Sequence, residues 1–329
     1  MPESISTVAR EPFRVVGNLL TDLILRGVEE MPAWGEEVAG EGHAFRPSGQ
    51  ATYLAQGLRA FGRQTEVIGL LGDDLPGRAI RASLTDCGAG DDLVETVPDG
   101  RTAVTVAVVR PDGERAFISD FACLEKLDEA FLKRSLAKTG GTVCLVGLLN
   151  LPGLDIAAAR AVLSQARRRG ALVALDTGWD PGGWSEATVE AVLALLAEVD
   201  LFLPNSDEAR VLTGAEDPIA AARVLAEHCA GRVVVKLGRD GCVSWSDGAV
   251  TRVGAFPTPV FDTVGAGDSF NAGLLHALAD GMELEAAMSW ANATASIYVS
   301  RHDDRHPAES AVGDLLKARL RADRREDGR

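Results

Sequence analysis

A nine-residue stretch near the C-terminal end of the chain combines glycines with an acidic side chain in a way that suits phosphate chemistry. It runs from Asp262 to Phe270 and reads DTVGAGDSF. Gly265 and Gly267 flank Ala266, so that no bulky side chain blocks a close approach to the backbone. The spacing therefore predicts a tight turn with accessible backbone amides.

The apolar pattern becomes helical directly after this turn, with Phe270, Leu274 and Leu278 four residues apart. The first N–H groups of a helix lack partners within the helix, and the helix dipole adds positive potential there, so such an end binds phosphate. A carboxylate beside bound phosphate is unfavourable unless it takes a proton from an attacking hydroxyl, and Asp268 stands at that place. Capping of the helix by Asp268 is the alternative.

The stretch resembles the second signature of the ribokinase-like sugar kinases, the PfkB carbohydrate kinase family, and the resemblance covers about residues 13–300. It implies an α/β fold, a ribokinase-like three-layer sandwich with a central, mostly parallel sheet and a small β-lid. It also implies ATP as the phosphoryl donor, with Mg²⁺, and Asp268 as the catalytic base. The anion hole would be the backbone of Gly265, Ala266, Gly267 and Asp268.

Two motifs near the N-terminus match the family's sugar-binding positions. Asp22 ends a G-N-x-x-x-D pattern whose Asp hydrogen-bonds sugar hydroxyls in the family; a turn aspartate is the alternative. The family's Gly-Gly pair and the Asn that follows it correspond here to Ser48, Gly49 and Tyr53, and Ser48 is also a predicted helix N-cap. Because Tyr offers a hydroxyl and a flat apolar face, this departure favours a substrate with some apolar or planar character, unless Tyr53 simply packs under the lid.

Further motifs match the family's nucleotide and metal positions. Asn205 and Glu208 fit an N-x-x-E motif that orders magnesium and its waters, and their spacing suits one face of a first helical turn; helix capping is the alternative. The family's T-L-G-x-x-G loop is K-L-G-x-x-G here, and the lysine either binds phosphate or ends a strand in solvent. The implied nucleotide-binding residues are Asn205, Lys236, Gly238, Gly241, Gly265, Gly267 and Asn292.

Three other positions bear on the site. Asp176 ends a predicted strand and is a candidate site residue, because ligands of parallel α/β sheets bind at the carboxyl ends of the strands. Arg115 faces an anionic substrate or remains exposed on the lid. Cation-activated family members often end their last motif with Gly-Ala, where this chain has residues 302–305 (HDDR), so we do not expect activation by a monovalent cation.

The order of strand and helix patterns indicates how these residues are positioned. Strands alternate with helices from about residue 142 to 300, which predicts a parallel sheet with helices on both faces. Residues 19–47 and 100–121 are short extended pieces between glycines and prolines, and they predict the two parts of the lid. An uncovered lid would expose strand edges and an apolar face. Because enzymes of the family that the chain resembles often pair their lids, the resemblance implies a homodimer. We predict a single domain over residues 1–329 with a frayed tail at 317–329.

Composition limits the partners and the compartment. The net charge of −15 opposes non-specific binding to nucleic acids and to anionic membranes, so that ATP must be held by local amides, a cation or a metal. The five cysteines are odd in number and form no CxxC pair, as in cytoplasmic proteins with reduced thiols. No signal peptide and no apolar run of membrane-spanning length is visible. We expect a cytoplasmic enzyme acting on a small molecule.

Three other functions fit parts of the pattern. A nucleoside kinase of the same fold remains open because of Tyr53. Ser269 follows a Gly-Asp pair like the GDS start of an esterase family, and the segment ending at His306 has the D-x-x-H spacing of that family's base. A non-catalytic sugar-binding protein would explain the changes at Ser48 and Tyr53, although such a protein would not need Asp268.

Overall fold

The computed structural model describes residues 12–112, 114–137, 140–246, 248–301 and 306–326, with side chains up to residue 321. Its strands, in chain order, are β1 (Phe13–Gly17), β2 (Leu20–Arg26), β3 (Gly42–Ser48), β4 (Thr65–Gly72), β5 (Gly90–Val97), β6 (Ala103–Val109), β7 (Arg115–Asp120), β8 (Thr142–Val146), β9 (Leu172–Asp176), β10 (Leu201–Phe202), β11 (Arg232–Lys236), β12 (Cys242–Ser246) and β13 (Ala249–Val253).

The helices alternate with these strands over most of the chain. They are α1 (Gln50–Ala60), α2 (Leu75–Cys87), α3 (Glu129–Ser135), α4 (Ile156–Arg168), α5 (Glu186–Leu195), α6 (Ser206–Thr213), α7 (Pro218–His228), α8 (Ala266–Ala279), α9 (Leu284–Val299) and α10 (Glu309–Glu326).

The large sheet has the strand order β13-β12-β11-β10-β9-β8-β1-β4-β5. From β11 to β5 in this order, each strand runs parallel to its neighbours. β12 pairs antiparallel with β11 and forms an antiparallel hairpin with β13 at one edge of the sheet. The central strands are continuous apolar runs, and β8 and β9 are buried along their whole length. Such runs are typical of parallel strands covered on both faces, so the predicted parallel sheet is confirmed.

Helices cover both faces of this sheet, which gives three layers. Val15 and Val16, neighbours in β1, belong to two different hydrophobic clusters because successive side chains of a strand point to opposite faces. One cluster includes Phe131 and Leu163 from α3 and α4; the other includes Leu274 from α8. The predicted three-layer α/β sandwich is therefore the observed fold.

A second, smaller sheet has the order β3-β2-β6-β7 and lies within the two segments predicted as the lid. β2 pairs antiparallel with β3 and parallel with β6, and β6 pairs antiparallel with β7. Phe45, Phe117 and Ile118 each expose about half of their surface on this sheet, at 50%, 53% and 59%. The small sheet therefore presents apolar side chains to solvent.

Some local predictions differ from the structure or lie outside it. Ser48 is not the N-cap of α1: it is the last residue of β3, and Gly49 occupies the cap position with no side-chain cap. The charged segment from residue 317 is helical up to Glu326 as part of α10. Residues 1–11, 302–305 and 327–329 lie outside the described residues. None of the described helices has the length and apolar character needed to cross a bilayer.

Candidate active site

The glycine turn adopts the conformation that an anion site requires. Gly265 has a φ of 79° and is the N-cap of α8, and a Cβ atom there would lie 2.9 Å from the Tyr298 hydroxyl oxygen. Ala266 donates its N–H to the Thr263 carbonyl at 3.2 Å, so this donor serves the turn. Among the described residues, the N–H of Gly267 has no backbone acceptor and is available to a bound anion.

Asp268 lies in the first turn of α8 and lines a cavity of about 770 Å³ together with Gly267. Only 7% of its surface is exposed. Burial raises the pKa of Asp268 well above its usual range, and the nearby Asp176 carboxylate adds to this, while Lys236 acts in the opposite direction. A carboxylate with a raised pKa binds a proton more readily, which suits a general base.

A buried ion pair adjoins the turn. The Lys236 ammonium lies 2.6 Å from Asp176 Oδ2, and a Cβ atom on Gly267 would lie 3.6 Å from the same nitrogen. Burial acts to lower the pKa of Lys236, but Asp176 and Glu208 outweigh it and raise that pKa, so that the ammonium stays charged. The structure therefore places Lys236 inside the cavity beside the anion turn instead of in solvent.

Asp176 is held by three side-chain donors. Besides Lys236, it accepts hydrogen bonds from Asn271 Nδ2 at 2.7 Å and from Gln50 Nε2 at 3.3 Å. Sequence reasoning did not find Asn271. Its signal was a single amide three residues after Asp268 in an otherwise apolar helix, a spacing that puts both on one helical face.

Asn205 and Glu208 form a reciprocal capping box at the start of α6. The Asn205 side chain accepts the Glu208 N–H, and the Glu208 carboxylate accepts the Asn205 N–H, both at 2.9 Å. Both residues also line the cavity. Burial, followed by the charge of Asp176, raises the pKa of Glu208 to about 7. A bound cation would favour the ionised carboxylate and so offset both effects. The pair can therefore hold a metal ion and cap α6 at the same time.

The remaining residues predicted to bind the nucleotide line the same cavity. Gly238 and Gly241 have φ angles of 58° and 90°, which explains glycine at both positions of the loop after β11. Asn292, on α9, donates to the Val253 carbonyl at 3.0 Å and fixes the end of β13. The apolar wall beyond it includes Phe256. The lining of the cavity near Asn292 is therefore partly apolar, as a nucleotide base requires.

The predicted sugar-binding residues are brought together but are set apart from this cavity. Asp22, on β2, is 5% exposed, and its Oδ2 accepts the Ser48 hydroxyl at 2.5 Å. Tyr53 is 4% exposed and packs against Gly265, where a Cβ atom would lie 3.3 Å from the Tyr53 ring. Asp22, Gly49 and Tyr53 are absent from the described lining of the cavity, which does include Gln50, Arg115, Asp176 and Thr263.

The serine and histidine of the esterase hypothesis are also neighbours. Ser269 Oγ lies 3.2 Å from His306 Nδ1. However, Ser269 has no exposed surface, and burial lowers the pKa of His306 to about 3. A nucleophile without access to a substrate cannot act, so the pair has a packing role beneath the first turn of α8.

The three-layer sandwich, the small sheet and the acid behind a glycine turn define a kinase of the ribokinase-like class. The model of the pfkB family carbohydrate kinases matches residues 14–311, and the chain belongs to this family. It is a sugar kinase, like the named members that it resembles.

Individual relatives match almost the whole chain. "Probable fructokinase-7" of Arabidopsis thaliana is 28% identical over 318 residues, covering 88% of this chain and 90% of that protein. The 5-dehydro-2-deoxygluconokinase of Bacillus anthracis is 28% identical over 283 residues, covering 82% and 85%. The structure of A. thaliana ribokinase complexed with ribose and ATP has a TM-score of 0.77 at 25% identity, covering 93% of this chain and 98% of that one.

Proposed function

We propose that this protein transfers the γ-phosphoryl group of ATP to a hydroxyl of a sugar or sugar-like small molecule, with Asp268 as the general base. The observation that carries the proposal is the position of Asp268. Its carboxylate lines the same cavity as the Gly267 amide and lies close to the charged Lys236. A base, an amide donor and a cation thus surround one point, as phosphoryl transfer requires.

The residues divide the reaction between them. Asp268 accepts the proton of the acceptor hydroxyl as its oxygen attacks phosphorus. The Gly267 N–H and the N-terminal end of α8 stabilise the negative charge of the phosphoryl oxygens. The Lys236 ammonium, which is paired with Asp176, contributes positive charge beside them in a chain whose net charge is −15. Asp176 and Asn271 hold that ammonium in place, at 2.6 Å and 3.4 Å.

Asn205 and Glu208 are the proposed residues for Mg²⁺. Their side chains stand at the cavity wall near Asp176 and Lys236. Magnesium keeps several of its waters, so an amide and a carboxylate can hold it through those waters. When bound, the ion would neutralise part of the charge on the nucleotide phosphates.

The small sheet is the proposed lid of the active site and the proposed contact between two subunits. Arg115, on β7, reaches the cavity and donates to Thr263 Oγ1 at 2.6 Å, so the sheet closes one wall of the site. A closed lid excludes water that would otherwise accept the phosphoryl group. The exposed Phe45 and Ile118, which lie on the same face of the sheet, would be covered in a homodimer. Sedimentation of wild type and Ile118→Asp tests this; an unchanged monomer in both would contradict it.

The proposed function is tested by measuring ADP release and phosphorylated product across a panel of sugars, sugar acids and nucleosides. Asp268→Asn serves as the blank for each acceptor, because it keeps the shape of the side chain and removes the base. We expect at least one acceptor whose turnover depends on the carboxylate. Product formation that survives Asp268→Asn unchanged would refute the assigned base, and a nucleoside as the preferred acceptor would favour the nucleoside-kinase alternative that Tyr53 leaves open.

A further inference from the structure

Asp262 joins two strands of the small sheet to the anion turn. Its Oδ2 accepts hydrogen bonds from Arg26 Nη2 on β2 and Arg46 Nη2 on β3, both at 2.8 Å. Its Oδ1 accepts the N–H of Val264 at 2.9 Å, one residue before Gly265. A single carboxylate therefore touches two strands of the small sheet and the start of the turn.

Thr263 repeats this connection with a third strand. Its hydroxyl accepts the hydrogen bond from Arg115 on β7, and its carbonyl accepts the Ala266 N–H inside the turn. On the other side, Phe261 donates its N–H to the Val299 carbonyl at the end of α9, at 2.8 Å. Residues 262–263, which we name the lid link, thus lie between the small sheet, α9 and the anion turn.

The charged side chains at the lid link are partly buried, so that their mutual attraction is only weakly screened by solvent. The side chains of Arg46 and Asp262 are 10% and 14% exposed, and that of Arg26 is 31% exposed. Burial acts to raise the pKa of Asp262, but the Val264 N–H and Arg46 outweigh it and lower that pKa. The carboxylate is therefore ionised at neutral pH, and both arginine contacts are charge-assisted hydrogen bonds.

We propose that Asp262 is a positioning residue that aligns the anion turn when the small sheet closes over the site. Closure brings Arg26 and Arg46 to one oxygen of the carboxylate, and the other oxygen orients the Val264 N–H and hence Gly265. The catalytic part of this inference rests on the proposed function; the structural coupling between lid and turn does not.

The experiment compares Asp262→Asn and the double variant Arg26→Gln/Arg46→Gln with Arg110→Gln. Arg110 is a matched control because it lies beyond β6 of the same sheet and pairs with Asp112, an exposed neighbour in the hairpin loop. The first measurement is amide hydrogen exchange of the whole protein without substrate. We expect faster exchange in both residues 42–48 and residues 262–268 for Asp262→Asn and for the double variant, and in neither region for Arg110→Gln.

The second measurement is turnover of the acceptor identified in the panel. We expect kcat to fall about ten- to a hundred-fold in Asp262→Asn, as for a misplaced catalytic group, with a much smaller change in the KM for ATP. ATP hydrolysis without acceptor should rise relative to transfer, because a loosened lid admits water. The Arg46→Lys variant should have a higher kcat than the double variant Arg26→Gln/Arg46→Gln, since lysine keeps the positive charge.

The outcomes separate the two ideas. Unchanged exchange at residues 262–268 in Asp262→Asn and in the double variant would overturn the positioning role, whatever the activity. A kcat of Asp262→Asn within two-fold of the wild-type value would also overturn the positioning role. If wild type itself phosphorylates no acceptor, the proposed function fails, and the exchange data still decide whether the lid link organises the turn. Should Asp262→Asn not fold, the double variant and Arg46→Lys provide the same comparison.

Discussion

Replacing Asp268 by Asn should abolish activity and at the same time stabilise the protein. The substitution keeps the volume of the side chain and removes a negative charge that is buried near Asp176 and Glu208. Loss of a general base costs about 10²- to 10⁴-fold in kcat, which corresponds to about 2.7–5.4 kcal/mol of transition-state stabilisation. Stability should move in the opposite direction, since the folded state no longer holds that charge out of water.

The pH dependence follows from the direction of the pKa shift. Because the folded pKa of Asp268 lies above the unfolded value of about 3.9, the unfolded chain releases this proton first as pH rises. The carboxylate thus destabilises the fold above about pH 4, and the effect grows until pH reaches the folded pKa. A gain on the order of 1 kcal/mol at pH 8 would raise Tm by roughly 2 °C for a chain of this size.

Thermal unfolding of wild type and Asp268→Asn from pH 5 to pH 9 measures this difference. Asp86→Asn is the control for loss of a negative charge, because Asp86 is exposed on α2, away from the site. The difference in Tm for Asp268→Asn should increase with pH, and that for Asp86→Asn should stay near zero. A lower Tm in Asp268→Asn at pH 8 would refute the reasoning, because it would mean that attraction to Lys236 exceeds the cost of burial.

Three further variants test the rest of the site. Lys236→Met should raise the KM for ATP at least about ten-fold, as measured by steady-state kinetics. It should also destabilise the fold by about 3–5 kcal/mol in a urea titration, since it leaves the buried Asp176 carboxylate without its counter-ion. An unchanged KM would exclude contact between Lys236 and phosphate. Ser48→Gly combined with Tyr53→Asn should make room beside the buried Asp22 and raise kcat/KM for ribose or fructose about ten-fold or more. No gain would show that these residues do not restrict the acceptor. The apparent affinity for Mg²⁺ should increase between pH 6 and pH 8 as Glu208, with its pKa of about 7, loses its proton. Glu208→Gln should remove this pH dependence. The same increase of Mg²⁺ affinity with pH in the variant would argue against the metal role of Glu208.

The fold and the glycine turn were readable from the sequence because both depend on local patterns. Continuous apolar strands alternating with helical periods predict a parallel sheet covered on both faces. The glycines around Ala266 and the helical period from Phe270 onward place Asp268 at a helix start, as observed. The N-x-x-E motif likewise predicted that Asn205 and Glu208 meet at the start of α6. Metal binding and helix capping, the two interpretations of this motif, both require that geometry.

The partners of the charged residues were not readable in this way. Lys236 could have ended its strand in solvent, and only the end of β9, 60 residues earlier and separated from β11 by β10 in the sheet, places Asp176 at 2.6 Å from it. Ser48 looked like a helix cap, but β3 lies next to β2 and directs its hydroxyl to Asp22. Sequence patterns give the period of an element, whereas these pairings depend on which elements become neighbours.

The sequence by itself determined the class of the fold, the glycine turn and the acid behind it, because periodicity, turn residues and helix starts are properties of short segments. Only the tertiary structure decided which charges are neutralised within the site and which remain for a ligand. Arg26 and Asp262 are 236 residues apart in the chain and still share a hydrogen bond. Such contacts depend on the packing of the small sheet against the segment before α8, and no local pattern encodes that neighbourhood.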